Sequence, residues 1–135
     1  MIGVDTNVLL RAHLEDEPKS AIIAQQFLSK ITADKQLFIS SYALLEMVWV
    51  LKTLKVPRTI ICESVLDLLD SPGVVVGNRE IIFNALAYYQ KGQADFGDYL
   101  ILAEGEVNHA PQLASFDKKL CQELRRCRSP EKFLP

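Results

Sequence analysis

MIGVDTNVLL, residues 1–10, places a carboxylate between two apolar segments. Residues 2–4 form a short apolar run that predicts a β-strand, and residues 6–14 carry the apolar spacing of a helix. Asp5 lies at the junction between the two. Its carboxylate is therefore either the N-cap of the helix that follows or part of a reaction centre at the end of the strand.

The same alternation of short apolar runs and longer helical segments continues along the chain. Further strands are predicted at residues 37–39, 74–76 and 113–116, with an edge strand near 126–128. Helices are predicted at residues 18–31, 40–55, 59–69, 79–91, 94–107 and 117–124. Strands separated by helices of this length indicate βαβ units and a mainly parallel sheet.

The predicted fold class is therefore α/β, a three-layer α/β/α sandwich with a short, mainly parallel sheet. The chain shows no internal repeat and no Ser/Gly-rich linker, so we expect one domain over residues 1–135. In open sheets of this class, ligands bind beyond the carboxyl ends of the strands. The acids near those ends are the first candidates for a functional site.

Composition limits how a nucleic acid could be bound. The chain has 135 residues, a formal net charge of −2 and 49% hydrophobic residues, which is ordinary for a globular domain. This charge gives no overall attraction to a polyanion, so phosphate contacts would have to come from local basic patches. Arg11, Lys52, Lys55 and a basic tail over residues 118–132 are candidates, with simple solvation as the alternative.

The cysteines and the hydropathy pattern bear on the compartment. The three cysteines form no CxxC pair, which disfavours both a disulfide framework and thiolate ligation of a metal. No basic segment precedes the first apolar run, and no uncharged stretch approaches the roughly 20 residues that cross a bilayer. We therefore expect a soluble, cytoplasmic protein without membrane contact.

Four acids lie where strands end or helices begin. Asp5 follows the first strand and Asp117 follows the fourth, so both are expected at the crevice edge of the sheet. Asp95 and Asp98 lie three residues apart at the start of a helix and thus on one side of its first turn. Each of the four has an alternative role as a helix cap or first-turn acid, which the sequence leaves open.

Glu46 does not fit the capping alternative. It lies inside a helix that is apolar nearly all the way round, well past the first turn, and such a helix is expected to be buried. An isolated buried carboxylate costs several kcal/mol unless it is paired or binds a metal. No cation lies three or four residues away, so the sequence predicts a partner from elsewhere, such as a metal ion shared with Asp5.

A cluster of carboxylates in one crevice is tolerable only around a divalent cation. Ligation by oxygen alone, without His or Cys, selects Mg²⁺ or Mn²⁺. Sites of this kind activate water and neutralise phosphate charge during phosphodiester cleavage. The acids therefore point to a metal-dependent nuclease.

The motifs DTN, a Glu within an apolar helix, ADFGDYLI and SFD resemble, in this order, the four acidic motifs of PIN domains. The wording MIGVDTNVLLR resembles the VapC-type toxin branch of toxin–antitoxin pairs. The resemblance covers the whole chain and implies an Mg²⁺- or Mn²⁺-dependent endoribonuclease acting on tRNA or rRNA. It also implies a homodimer and inhibition by a cognate VapB-type antitoxin.

The resemblance also implies roles for single residues. The metal-binding and catalytic quartet would be Asp5, Glu46, Asp98 and Asp117. The auxiliary and orienting residues would be Asp95, Thr6, Asn7 and Ser115.

Three other interpretations compete with the nuclease. A haloacid-dehalogenase-like phosphatase needs a second acid two residues after the nucleophile, and that position is Asn7 here. A response-regulator-like receiver needs an acidic pair near the end of the first strand, which Ile2, Gly3 and Val4 do not supply. A catalytically inactive PIN-like module that binds RNA or protein remains the alternative.

Overall fold

A computed structural model describes all 135 residues, which divide into two compact units, Met1–Asn78 and Arg79–Pro135. The first unit contains β1 (Ile2–Gly3), α1 (Thr6–Leu14), α2 (Pro18–Ser29), β2 (Leu37–Ile39), α3 (Ser41–Thr53), α4 (Arg58–Leu69) and β3 (Val74–Val76). The second contains α5 (Arg79–Lys91), α6 (Phe96–Val107), β4 (Leu113–Ala114), α7 (Lys118–Glu123), β5 (Cys127–Arg128) and a short 3-10 helix at Pro130–Phe133.

The sheet of the first unit is parallel, with the strand order β1-β2-β3. Gly3 pairs with Phe38, and Ile39 pairs with Val76, so the carboxyl ends of all three strands meet at one edge. Around this sheet α1 packs against α2 and α3, α3 packs against α4, and α4 packs against β3. The edge of the sheet with the carboxyl ends is where α1 and α3 begin.

Local signals set the helix boundaries in this unit. Asp5 caps α1, Pro18 occupies the first position of α2, and Ser40 caps α3 by accepting a hydrogen bond from the Tyr42 amide at 3.1 Å. Glu15 ends α1 in the left-handed conformation, with φ of 56°. These helix starts agree with those predicted from the sequence.

The second unit is built on the packing of α5 against α6. Tyr89 and Tyr99 are its largest fully buried side chains, and Tyr89 meets Phe96 edge to face with ring centroids 5.7 Å apart. A parallel pair of strands, β4 and β5, completes the unit, and α7 connects them. The fourth strand is shorter than predicted because the chain turns at Ser115, whose hydroxyl accepts a hydrogen bond from the Asp117 amide at 3.0 Å.

None of the seven helices has both the length and the apolar character of a transmembrane span.

Candidate functional site

Asp5 lies directly beyond the carboxyl end of β1 and is the N-cap of α1. Its Oδ1 accepts a hydrogen bond from the Thr6 amide at 2.8 Å, while the side chain as a whole is exposed. Thr6 is buried in the core, with 5% of its surface exposed, whereas Asn7 is exposed. The capping role open to Asp5 in the sequence is therefore present, and it occupies one carboxylate oxygen.

A cleft of about 650 Å³ opens beside Asp5. Its polar lining comes from Asp5, Asn7, Arg11 and Ser20, and its apolar lining includes Val8, Ile23, Ala24 and Phe27. The guanidinium of Arg11 forms ion pairs with Asp16 at 3.0 Å and with Glu17 at 3.3 Å. The cleft thus joins a polar rim, on which Asp5 is the one acid, to an apolar wall formed by α1 and α2.

Glu46 is exposed, so the predicted burial of this carboxylate is wrong. The helix α3 buries one side only, through Ala43, Leu44, Met47, Val48 and Leu51. Its other side carries Glu46 between two exposed aromatic residues, Tyr42 and Trp49, which are 78% and 64% exposed. Because the Glu46 carboxylate is exposed to water, it does not need a counter-ion. The prediction that Glu46 binds a metal therefore depends only on its position in the order of motifs.

Asp95 and Asp98 form a capping box at the start of α6. The Oδ2 of Asp98 accepts a hydrogen bond from the Asp95 amide at 3.3 Å, and the Asp95 side chain accepts from the Asp98 amide in return. Two neighbouring carboxylates at a helix N-terminus are stabilised by the dipole of that helix. The structure therefore brings these two predicted residues together and gives both a capping function.

The loop before this capping box is fastened to α7. The Tyr99 hydroxyl contacts the Glu123 carboxylate, and the backbone amides of Gln93 and Ala94 bind Glu123 and Tyr99, respectively. Gly92 lies buried against the same two side chains, so closely that a Cβ atom there would collide with both. This anchor fixes the position from which α6 starts.

Asp117 follows β4 and caps α7. Its Oδ1 accepts a hydrogen bond from the Leu120 amide at 3.1 Å, while Ser115 contacts the Asp117 amide through its hydroxyl. Ser115 therefore orients the backbone at Asp117, while its role beside a metal site stays a prediction. Phe116, between them, projects into solvent.

The basic tail is not a uniform solvated patch. Arg126 forms an ion pair with Glu106 at 2.9 Å and a hydrogen bond to the Tyr88 hydroxyl. Burial and the hydrogen bond to Glu106 raise the pKa of Tyr88. Arg128 lies over the Phe133 ring, 4.8 Å from its centroid. Two of the basic residues considered for phosphate contact are thus engaged within the second unit.

The donor set has the chemistry of a magnesium or manganese site but is divided between the two units. Asp5 and Glu46 belong to the first unit, and Asp98 and Asp117 to the second. Within neither unit do three or more His, Cys, Asp or Glu side chains form a group that could hold a metal ion. The caps at Asp5 and Asp117 use Oδ1 of each carboxylate. Oxygen ligands of this type fit the hard cations Mg²⁺ and Mn²⁺.

Three polar residues, Ser40, Asn78 and Glu123, were not among the site residues predicted from the sequence. Ser40 and Asn78 follow β2 and β3 closely, at the same sheet edge as Asp5, and Asn78 has a left-handed φ of 56°. The signal that singled out Asp5, a polar residue after a parallel strand, applies equally to them. Glu123 gave no such signal, because its contact with Tyr99 joins residues far apart in the chain.

The sequence matches the PIN domain family over residues 2–123, and the chain belongs to this family. No curated protein matches it. The match confirms the predicted fold class, an α/β/α sandwich of the PIN type with parallel strands and seven helices. PIN domains are generally nucleases that act on RNA or DNA, typically with Mg²⁺ or Mn²⁺, so the match supports a nuclease role and hydrolase activity for this chain.

Proposed function

We propose that the protein is a metal-dependent endoribonuclease, the VapC-type toxin of a toxin–antitoxin pair, working in the cytoplasm as a single domain over residues 1–135. One observation carries the proposal. The family match over residues 2–123 contains all four acids of the predicted quartet, Asp5, Glu46, Asp98 and Asp117. Their order and motif context are those on which the resemblance depends.

In this proposal the four carboxylates hold Mg²⁺ or Mn²⁺. When bound, the ion supplies a nucleophile at neutral pH and neutralises charge on the scissile phosphate. The capping hydrogen bonds orient Asp5, Asp98 and Asp117 from the backbone. In metal sites, hydrogen bonds of this kind hold the ligating side chains in position. Asp95, Thr6, Asn7 and Ser115 act as auxiliary or orienting residues.

The exposed side of α3 supports RNA as the substrate. Tyr42 and Trp49 flank Glu46 on this helix, with planar rings available for stacking on unpaired bases. Lys52 lies near the end of the same helix and Lys55 follows that helix, and both are exposed. Cations beside aromatic rings provide both phosphate attraction and base stacking. tRNA or rRNA with single-stranded loops is the substrate class that this surface suits.

The cleft beside Asp5 supports a peptide inhibitor. Its apolar wall, with Ile23 and Phe27, is complementary to the apolar face of an amphipathic helix. The Asp5 carboxylate on its rim could bind an Arg or Lys of that helix. A VapB-type antitoxin with such a segment would cover Asp5. The proposal also includes a homodimer, as the resemblance to VapC-type toxins implies.

The test is cleavage of a total tRNA and rRNA pool by protein freed of any antitoxin, with Mg²⁺ or Mn²⁺ and with EDTA. Asp5→Asn and Asp98→Asn are the informative variants, because an amide oxygen can keep each capping hydrogen bond while the charge is lost. Asp67→Asn, at an exposed position of α4, is the matched control. We expect cleavage by wild type and control only, and none with EDTA.

A second candidate is favoured by one observation, the capping roles of Asp5, Asp95, Asp98 and Asp117. Acids that serve helix ends need no metal, so a PIN-like module that binds RNA or protein without cutting it would have the same structure. Equal behaviour of wild type and both variants, without Mn²⁺ binding or stabilisation, would establish this candidate.

A further inference from the structure

Two thiols of the second unit meet beneath the Asp117 segment. Cys121 lies on α7 and Cys127 on β5, and their sulfurs are 3.1 Å apart. Cys127 is 1% exposed, whereas Cys121 is half-buried and contacts the Ser115 carbonyl oxygen at 3.6 Å. Cys121 is therefore the more exposed residue of the pair, and Cys127 is fully buried.

The protonation state of Cys127 follows from its surroundings. Burial, followed by the hydrogen bond with Cys121, raises the pKa of Cys127 to about 12. Cys127 is thus protonated in the reduced protein and does not start the exchange with an external disulfide. Cys62, the third cysteine, is buried on α4 in the other unit and has no sulfur neighbour of this kind.

We propose that Cys121 and Cys127 form a reversible intramolecular disulfide when the protein meets a small-molecule disulfide such as oxidised glutathione. The observations that carry this are the sulfur contact, the difference in exposure and the short connection between α7 and β5. The sulfurs need to approach by about 1 Å to reach the covalent distance of about 2.05 Å. A pair with one accessible and one resolving cysteine is the arrangement of known thiol sensors.

The exchange proceeds in two steps. The thiolate of Cys121 attacks one sulfur of glutathione disulfide, forms a mixed disulfide and releases one glutathione thiolate. Cys127 then loses its proton and attacks the Cys121 sulfur, which releases the second glutathione. The two thiol protons end on the two glutathione molecules. The protein dithiol is oxidised by two electrons, and glutathione disulfide is reduced to two thiols.

The Cys121–Cys127 disulfide would restrict the motion of the segment that carries Asp117. The Cys121 amide donates to the Asp117 carbonyl oxygen at 3.1 Å, and the Ser115 amide donates to the Arg128 carbonyl oxygen at 3.0 Å. A Cys121–Cys127 bond adds a covalent link between these two attachments. Oxidation therefore changes the freedom of Asp117 without changing its side chain.

The test uses the full chain treated with oxidised or reduced glutathione, followed by counting of free thiols and peptide mapping. Wild type and the control Cys62→Ala are expected to lose two thiols and yield a linked 121–127 peptide. Cys121→Ser is expected to lose none at these positions. Cys127→Ala, which avoids a buried hydroxyl, is expected to stop as a stable glutathione adduct on Cys121.

The outcomes separate cleanly. A stable glutathione adduct on wild type, unreacted thiols in the folded protein, or a bond that involves Cys62 would overturn the proposal. Expected results would be accompanied by a higher urea midpoint of oxidised wild type and Cys62→Ala, with no such rise in Cys127→Ala. No RNA or metal enters the assay, so its result is independent of the proposed nuclease activity.

Discussion

The Tyr99 hydroxyl donates to the Glu123 carboxylate, lying 2.8 Å from Oε1 and 2.7 Å from Oε2. The same hydroxyl accepts from the Ala94 amide at 3.1 Å, and Glu123 Oε1 accepts from the Gln93 amide at 3.2 Å. Because Tyr99 is fully buried on α6, this short network fixes the α5–α6 loop against the end of α7. The acids at the starts of α6 and α7 thus belong to one connected framework.

Gly92→Ala is expected to disrupt that framework. The new Cβ would lie against the Tyr99 hydroxyl and Glu123 Oε1, so one of the hydrogen-bonded groups must move. We expect a loss of about 1–3 kcal/mol in the free energy of unfolding, measured by urea denaturation. Gly3→Ala is the control, since nothing lies within 4 Å of a Cβ at that position. Equal midpoints for the two variants would contradict the anchor.

Asp5→Ala and Asp5→Asn are expected to distinguish the helix-capping role of Asp5 from its proposed role in RNA cleavage. Alanine removes the acceptor of the Thr6 amide and should lower the free energy of unfolding by about 0.5–2 kcal/mol, while asparagine should cost less. Both should abolish the proposed RNA cleavage. Urea denaturation and cleavage assays on the same preparations make the comparison. Activity that follows stability across the two variants would assign Asp5 to the cap alone.

Trp49 is expected to report RNA binding through its fluorescence. It is the only tryptophan of the chain and is 64% exposed, so a stacked base should quench its emission. The Asp5→Asn protein with Mg²⁺ should respond to single-stranded RNA and not to duplex RNA. Because stacking is worth about 1–3 kcal/mol per base, Tyr42→Ala should weaken binding at least about 5-fold.

Ile60→Ala, at an exposed position of α4, is the control for this titration. Added to the Asp5→Asn protein, it should leave RNA binding unchanged. Quenching that depends on protein concentration and not on RNA would instead place a second copy of the chain on α3.

Tyr88 is expected to make stability fall at high pH. Its pKa is raised above the usual value of 10.0 by burial and by its hydrogen bond to Glu106. The unfolded chain therefore ionises first, so the stabilisation is complete below about pH 10 and is lost as the pH rises through the folded pKa. The difference in urea midpoint between wild type and Tyr88→Phe should shrink over that interval. A difference that does not depend on pH would contradict the shift.

Much of the fold was predictable because its signals are local. Asp5, Pro18 and Ser40 mark helix starts through capping chemistry that depends on a few neighbouring residues. The prediction that Glu46 is buried was wrong because it considered how many residues of α3 are apolar and not on which side of the helix they lie. Trp49 lies on the exposed side, although its residue type suggests the core.

The remaining features depend on contacts distant in sequence. The Arg126–Glu106 ion pair spans 20 residues, and no pattern in the tail distinguishes Arg126 from its solvated neighbours. The contact of Cys121 with Cys127 likewise needs the turn between α7 and β5. The quartet itself remains a prediction, since its support comes from motif order and family membership.

The boundary at Asn78 divides the chain into two contiguous units, and it divides the proposed ligands two and two. On the proposed function, a cut of the chain at this boundary would leave each fragment with half of the carboxylates and therefore inert. Fragments 1–78 and 79–135 together would carry the full set. On the proposed function, RNA cleavage would therefore need carboxylates from both parts of the chain.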